Sequence, residues 1–172
     1  MGTAYPGGVR LNSVLLDTSF LICLSSPSRP HHDVAKQYFQ RFIAEEVTMH
    51  LSTIVVSEYE VRQRIGDLAL ANFIVLPFNI DDAIATARVF GVMHAARQTG
   101  DDRDAVKDDA KLLGQCVVAG ITHFATDDEP CARRIAAARA NGAIAGLPHA
   151  IRLHEPFWDG WFSEGNQGTL SL

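Results

Sequence analysis

Cysteine is scarce in this chain: three in 172 residues, at Cys23, Cys116 and Cys131, odd in number and far apart. That spacing excludes a disulfide framework and, with no CxxC pair, a zinc knuckle; a reducing compartment suits it. The seven histidines form no HExxH or HxxxH pair, and neither a GxxxxGK[ST] phosphate loop nor a GxGxxG turn after a strand is present. No run approaches the roughly 18 apolar residues of a membrane span. The opening MGTAYPGGVRLNS has no apolar signal segment and reads as a flexible leader over 1–11, so the expected location is cytoplasmic. Positive charge is also short. Fifteen Lys and Arg against 20 Asp and Glu leave −5, which argues against non-specific coating of nucleic acid but not against an enzyme with a local basic patch.

What is present suits one ordinary domain: 47% hydrophobic and 20% charged residues, without repeats, low-complexity segments or an internal linker. The domain is expected over 12–156, followed by an aromatic tail over 157–172. SVLL, at 13–16, is a short apolar run and predicts a buried strand. SSPSRPHHD is a loop, VAKQYFQRFIAEE has helical spacing, and VTMHLST is a short strand. STIVVSEYEVRQRI predicts a helix capped by Ser52 or Thr53. NFIVLPF reads as a strand and IDDAIATARVFGVMHAAR as a helix. The acidic loop TGDDRDAVK leads into a helix ended by Gly120. ITHFAT, the basic helix CARRIAAARA and AIRLH complete an alternation that predicts a mostly parallel sheet with helices on both faces.

Four acids stand out from this pattern. Asp17 follows the strand SVLL directly, and Asp127 and Asp128 follow ITHFAT, so these carboxylates belong at the carboxyl edge of the sheet, where α/β proteins place their sites. Turn or cap residues would also be acidic there. At 100° per residue, Glu58 shares a stripe with Ile54, Val61 and Ile65, where a charge is costly unless paired, with Arg62 or with a metal. Asp109 shares a face with Leu112, Leu113, Cys116 and Gly120 and reads as the inward acid; Asp108, nearer Lys111, reads as its cap or helper. Four inward acids repel, by about 4 kcal/mol for a pair 4 Å apart at an effective dielectric near 20. A hard divalent cation, Mg²⁺ or Mn²⁺, would neutralise them and could drive a phosphoryl displacement.

The ordered segments VLLDTSFL, STIVVSEYEV, VKDDAKLLGQCVVAG and HFATDDEP resemble the PIN-domain ribonucleases, especially the VapC-type toxins of toxin–antitoxin pairs, over 12–155. The resemblance implies a three-layer α/β/α sandwich around a short, mostly parallel sheet. It implies metal-dependent endonucleolytic cleavage of RNA, leaving a 5′-phosphate and a 3′-hydroxyl. Asp17, in its DTS setting, Glu58 and Asp109 would hold the ion or ions. Asp128, after Thr126 in the T-x-D motif, would complete the shell or orient the attacking water. Thr18, Ser52, Asp108, Thr126 and Asp127 would support them. On this reading Asp17 and Asp109 are needed for cleavage and dispensable for folding. A homodimer and an antitoxin protein are the implied partners, with RNA as substrate and no membrane.

Substrate contact in so acidic a chain must be concentrated, and Lys107, Lys111, Arg133, Arg134 and Arg139 could supply a basic rim; a solvated helix face would use the same residues. The tail residues Phe157, Trp158, Trp161 and Phe162 either close the core or form a protein interface. His31, His32, His94 and His123 carry no distinguishing spacing and are read as structural. Two other functions compete. A phosphatase of the haloacid dehalogenase type would need DxD where this chain has Asp17-Thr18-Ser19. A non-catalytic PIN-like scaffold for RNA or protein would have no need of four acids.

Overall fold

The two most deeply buried strands lie side by side at the centre of the sheet. In the computed structural model, which describes residues 9–163, β1 (Ser13–Leu16) and β4 (His123–Thr126) pair in parallel, with Leu16 opposite Ala125. β2 (Thr48–Ser52), β3 (Phe73–Leu76) and β5 (His149–Arg152) extend it to five parallel strands in the order β3-β2-β1-β4-β5. Strands buried on both faces need near-continuous hydrophobicity. β4 is buried throughout and β1 over its last three residues, whereas the edge strand β3 leaves Ile74 and Val75 half exposed.

Among the described residues six α-helices cover the sheet, and the expected α/β/α sandwich is what forms. α1 (Thr18–Ser25), α2 (His32–Ala44) and α3 (Thr53–Glu60) pack together on one side. α4 (Ile80–Ala95), α5 (Arg103–Ala119) and α6 (Glu129–Asn141) pack together on the other. α4 and α5 form a tight antiparallel pair. A Cβ at Gly114 would lie 2.5 Å from Thr86 Oγ1 and 2.9 Å from Thr86 N, so only glycine permits this approach. Gly120, at φ 66°, caps α5 in the left-handed conformation expected of it.

From β1 the chain moves outward through β2 to β3, then returns to the other side of β1 to build β4 and β5. The carboxyl ends of β1 and β4 therefore flank the switch point of the sheet, where the connections diverge and leave a crevice.

Three details differ from the sequence pattern. The segment after Asp17, left without an element, is α1; its residues Phe20, Leu21 and Cys23 are buried. α5 starts earlier than expected, with Asp102 as its N-cap, accepting a hydrogen bond from Asp104 N at 3.0 Å. Asp108 is thus no cap. And α3 buries Val55 and Tyr59, not the stripe of Ile54 and Val61; Val61 is 85% exposed. Glu58 faces the crevice, and the sequence wheel was one face out.

The aromatic segment packs against α2. Phe157 lies 4.8 Å from Tyr38 and Phe162 6.1 Å from Phe42, centroid to centroid. Trp161 and Phe162 are buried, and Trp161 O accepts from Leu11 N at 3.0 Å. Of the leader, 1–8 lie outside the described residues, as do 164–172 of the tail.

Candidate carboxylate site

Asp17 is both a helix cap and the floor of the crevice. Its Oδ1 accepts from Thr18 N at 2.7 Å, which satisfies one of the free N–H groups opening α1. Its Oδ2 takes hydrogen bonds from Ser19 Oγ at 2.7 Å and Thr126 Oγ1 at 2.8 Å. Thr126 is buried and also accepts from Asp128 N at 2.9 Å, tying the end of β4 to the end of β1. Asp128 caps α6 in the same way, accepting from Cys131 N at 2.8 Å. The cap role weighed against these two acids is therefore real, and each also lines the crevice. Replacing Thr126 with Val keeps the shape while removing the hydroxyl that orients both acids. Affinity for Mn²⁺ is expected to fall about 10–100-fold, as for other ligand-orienting partners, measured by calorimetric titration.

Glu58, on α3, accepts a short hydrogen bond from Thr18 Oγ1 and, among the described residues, makes no ion pair with Arg62. Ser52, buried at the end of β2, fixes where α3 begins: it caps Ile54 N at 3.1 Å and donates to the buried Gln115 Oε1 at 2.5 Å. Asp109, on α5, is 15% exposed and pairs with Arg134, whose side chain is 2% exposed and also reaches Asp101 at 3.2 Å. Asp108 pairs with Lys111 at 2.8 Å and is half exposed. Asp109 is thus the inward member of the pair and Asp108 the outward one, without the cap role read for it.

Asp17, Glu58, Asp109 and Asp128 line one open cleft of roughly 810 Å³, together with Asp108, Asp127 and Glu129. Seven carboxylates face the two guanidinium groups of Arg29 and Arg62 there. Burial raises the Asp17 carboxyl above its ordinary value, with the Asp128 charge adding to it against three hydrogen bonds. Burial likewise raises Glu58, opposed by the Thr18 hydroxyl and helped by the charges of Asp17 and Asp108. Asp109 is pushed up to about 7 by burial, against the pull of Arg134 and with repulsion from Asp17 and Asp128.

These shifts share a sign. An acid that keeps its proton longer when folded contributes stability at low pH that is lost as the pH rises through its folded value. For Asp109 the window runs from 3.8 to about 7, and the loss is on the order of 4 kcal/mol. In chelator the protein is expected to melt at a lower temperature at pH 8 than at pH 5. A divalent cation reverses this by binding the ionised form. At 100 times its dissociation constant it adds about 2.7 kcal/mol, or roughly 5–11 °C, at pH 8, and almost nothing at pH 5. Calorimetric melts at both pH values, with MgCl₂ or chelator, measure it; a melting temperature indifferent to metal at pH 8 would contradict the charge balance.

The donor set fits Mg²⁺ or Mn²⁺. Among the described residues, no three of the four carboxylates bring ligand atoms within 4.8 Å of one another. Mg²⁺ asks for less, since it keeps several waters and takes one or two carboxylates.

The expected basic rim is placed differently. Arg134 is buried beneath Asp109 and cannot reach a substrate. Arg133 is bonded to Asp101 at 2.8 and 2.9 Å, and Arg139 to the Leu147 carbonyl and His149. Lys107 and Lys111 pair with Asp104 and Asp108 on their own helix. None of the five lines the cleft. Arg29 and Arg62 do; both are exposed and, among the described residues, have no carboxylate partner. Arg29 was not singled out in the sequence, and Arg62 only as a partner for Glu58; nor was Ser19, although the DTS tripeptide placed it beside Asp17. His31, read as structural, sits on Asp127 at 2.7 Å.

Comparison with known proteins supports the fold. No protein-family model matches the chain, and no curated protein matches it. Among solved structures, FitAcB from Neisseria gonorrhoeae is similar at a TM-score of 0.54 and 17% identity, covering 83% of this chain and 99% of that one. VapBC2 from Rickettsia felis, bound to a DNA fragment from their promoter, is similar at 0.50 and 12%, covering 81% and 98%. The identification of the sequence with PIN-domain ribonucleases of the VapC type is corrected accordingly. With no family matched and identities this low, the likeness reaches the fold and stops short of the family. The short motifs that carried it are partly what helix capping selects, as Asp17 and Asp128 illustrate. The chain has a PIN-like three-layer fold with an acidic cleft at its switch point.

Proposed function

We propose that the chain is a divalent-metal-dependent endoribonuclease, with Asp17, Glu58, Asp109 and Asp128 as its working carboxylates. One observation supports this reading above the rest. Two strand ends and two helices bring four acids to one open cleft, three of them with carboxyls raised by burial and mutual repulsion. Helix capping accounts for Asp17 and Asp128 taken singly, but not for their meeting Glu58 and Asp109 in one cleft.

Bound among these acids, Mg²⁺ or Mn²⁺ would polarise a scissile phosphate and lower the pKa of an attacking water. The chain's own groups divide the remaining work. Asp17, held at both oxygens by Thr18 N, Ser19 and Thr126, is a fixed ligand. Glu58 is oriented by Thr18 and Asp109 by Arg134. Asp128 spends Oδ1 on the α6 cap and keeps Oδ2 to take a proton from water. Arg29 and Arg62, on the cleft wall, would bind the flanking phosphates of a single strand, which an otherwise acidic cleft would repel.

An antitoxin partner belongs to the same proposal, supported by the likeness in fold to FitAcB and VapBC2; a homodimer is proposed with it. The deciding experiment incubates a mixed cellular RNA pool with wild type and Asp17→Asn, in Mn²⁺, Mg²⁺ or chelator, and maps the cut ends. Cutting by the wild type alone, abolished by chelator and leaving 5′-phosphates, is the expected result. A wild type that binds metal and cuts nothing would favour the scaffold reading.

A further inference from the structure

At the edge of the same cleft, which Asp127 and His154 line, two imidazoles converge on a single carboxylate oxygen. His31, the residue before α2, brings its Nδ1 to 2.7 Å from Asp127 Oδ1. His154, two residues past β5, brings its Nδ1 to 3.8 Å from the same oxygen. The rings lie 4.4 Å apart between centroids, and the three donor atoms fall within 4.8 Å of one another, the one such trio of potential ligands among the described residues. At 3.8 Å, His154 is beyond hydrogen-bond reach of Asp127. A hydrogen bond explains where His31 sits; His154 turns its Nδ1 between Asp127 and Glu129, whose Oε2 is 3.9 Å away, and is within hydrogen-bond reach of neither.

We propose that His31, Asp127 and His154 form a second metal site, distinct from the four carboxylates and selective for a zinc-class transition ion. Two nitrogens and one oxygen suit Zn²⁺, whereas Mg²⁺ prefers oxygen alone. Bonds of about 2.05 Å in a tetrahedron set ligand atoms about 3.3 Å apart. The observed 2.7 and 3.8 Å bracket that edge, and the third, between the two histidines, is no longer than 4.8 Å, so closing the shell takes rotation of the side chains alone. The ligands come from three segments, and their side chains are 28%, 16% and 40% exposed, which gives an ion a route from solvent. Asp127 is anchored through its N–H to Ser19 Oγ at 2.9 Å. Of the cysteines, the usual competing ligands, Cys23 lies beside His31 and Asp127 but is buried, and Cys116 and Cys131 are buried in the core. Three protein ligands leave a fourth position open to water or to a group entering the cleft. An ion here would tie the chain leaving β5 to the loop before α2 and place a double positive charge beside Asp128.

This site stands whether or not the protein cuts RNA. The test is calorimetric titration of the untagged full-length chain with ZnCl₂ in millimolar Mg²⁺, which occupies the carboxylates. The companion readout is the visible spectrum with Co²⁺, in which tetrahedral coordination gives intense bands. One equivalent of Zn²⁺ is expected to bind, weakened more than about tenfold in His31→Ala and in His154→Ala, and unchanged in Asp17→Asn. His31→Asn and His154→Asn, which keep a polar group at each position, should show the same loss with unchanged circular dichroism. Zinc binding that ignores both histidines, or that falls only with Asp17→Asn, overturns the proposal, as does the absence of zinc binding by the wild type.

Discussion

Asp17→Asn is expected to lose more than about 100-fold in RNA cleavage and yet to melt at a higher temperature than wild type in chelator. The two effects have one cause. Asn caps a helix about as well as Asp, so Thr18 N keeps its acceptor and α1 its start. The hydroxyls of Ser19 and Thr126, which donate to Asp17 Oδ2, can rotate to accept from the amide instead. What disappears is a buried negative charge whose carboxyl is already raised by burial and by Asp128. Its removal should stabilise the metal-free fold and so raise its melting temperature. It also removes an anionic ligand, a larger loss than the 10–100-fold cost of disturbing a ligand's orienting partner. Cleavage with Mn²⁺ and melting in chelator, measured on one preparation, separate the possibilities. Equal cutting by both proteins would put the nuclease elsewhere, and a lower melting temperature would mean that the charge itself holds the fold.

The sequence made the sheet and its acidic edge legible because both rest on local chemistry. Val14 to Leu16 and Phe124 to Ala125 are apolar on both faces, and a strand that must be buried on both sides has few alternatives. Asp17 and Asp128 follow these strands directly, so locating the strands located the acids. Asp109 was legible because five turns of α5 set a strong helical phase. α3 is only eight residues long, and a wheel extended past Glu60 assigned Val61 to the core when the chain had already left the helix. The basic rim failed for another reason. Arg133 and Arg134 stand on a helix that reads as solvated, yet their partner Asp101 lies 32 and 33 positions away in a loop, and nothing local signals such a pairing. His31, Asp127 and His154 meet only because β5 ends beside the loop before α2. That is a property of the topology.

Arg134→Met is expected to be the most destabilising single change at the site, costing about 3–5 kcal/mol, which lowers the melting temperature by roughly 6–20 °C. Met fills much of the same space, so the cost is electrostatic. Arg134 is buried and shared between Asp109 and Asp101. Asp101 would keep Arg133 and the Gln98 N–H, which with Arg134 hold it down to about 2. Asp109 would keep no cation, in a cleft where Asp17 and Asp128 already push its carboxyl upward. Asp109→Asn leaves the buried Arg134 with Asp101 as its one carboxylate, so some loss of folding stability is expected there, where the sequence reading expected none. Removing both partners should cost less than the sum of the single changes, since neither charge is then left unpaired. Melts of wild type, both single variants and Arg134→Met/Asp109→Asn form the cycle, and a coupling of at least about 2 kcal/mol is expected. Mg²⁺ should rescue Arg134→Met more than it stabilises wild type, because the ion then supplies the missing positive charge. A loss below about 1 kcal/mol with no coupling would mean that water, not Arg134, carries the charge of Asp109, and the cleft would need no cation to stay folded.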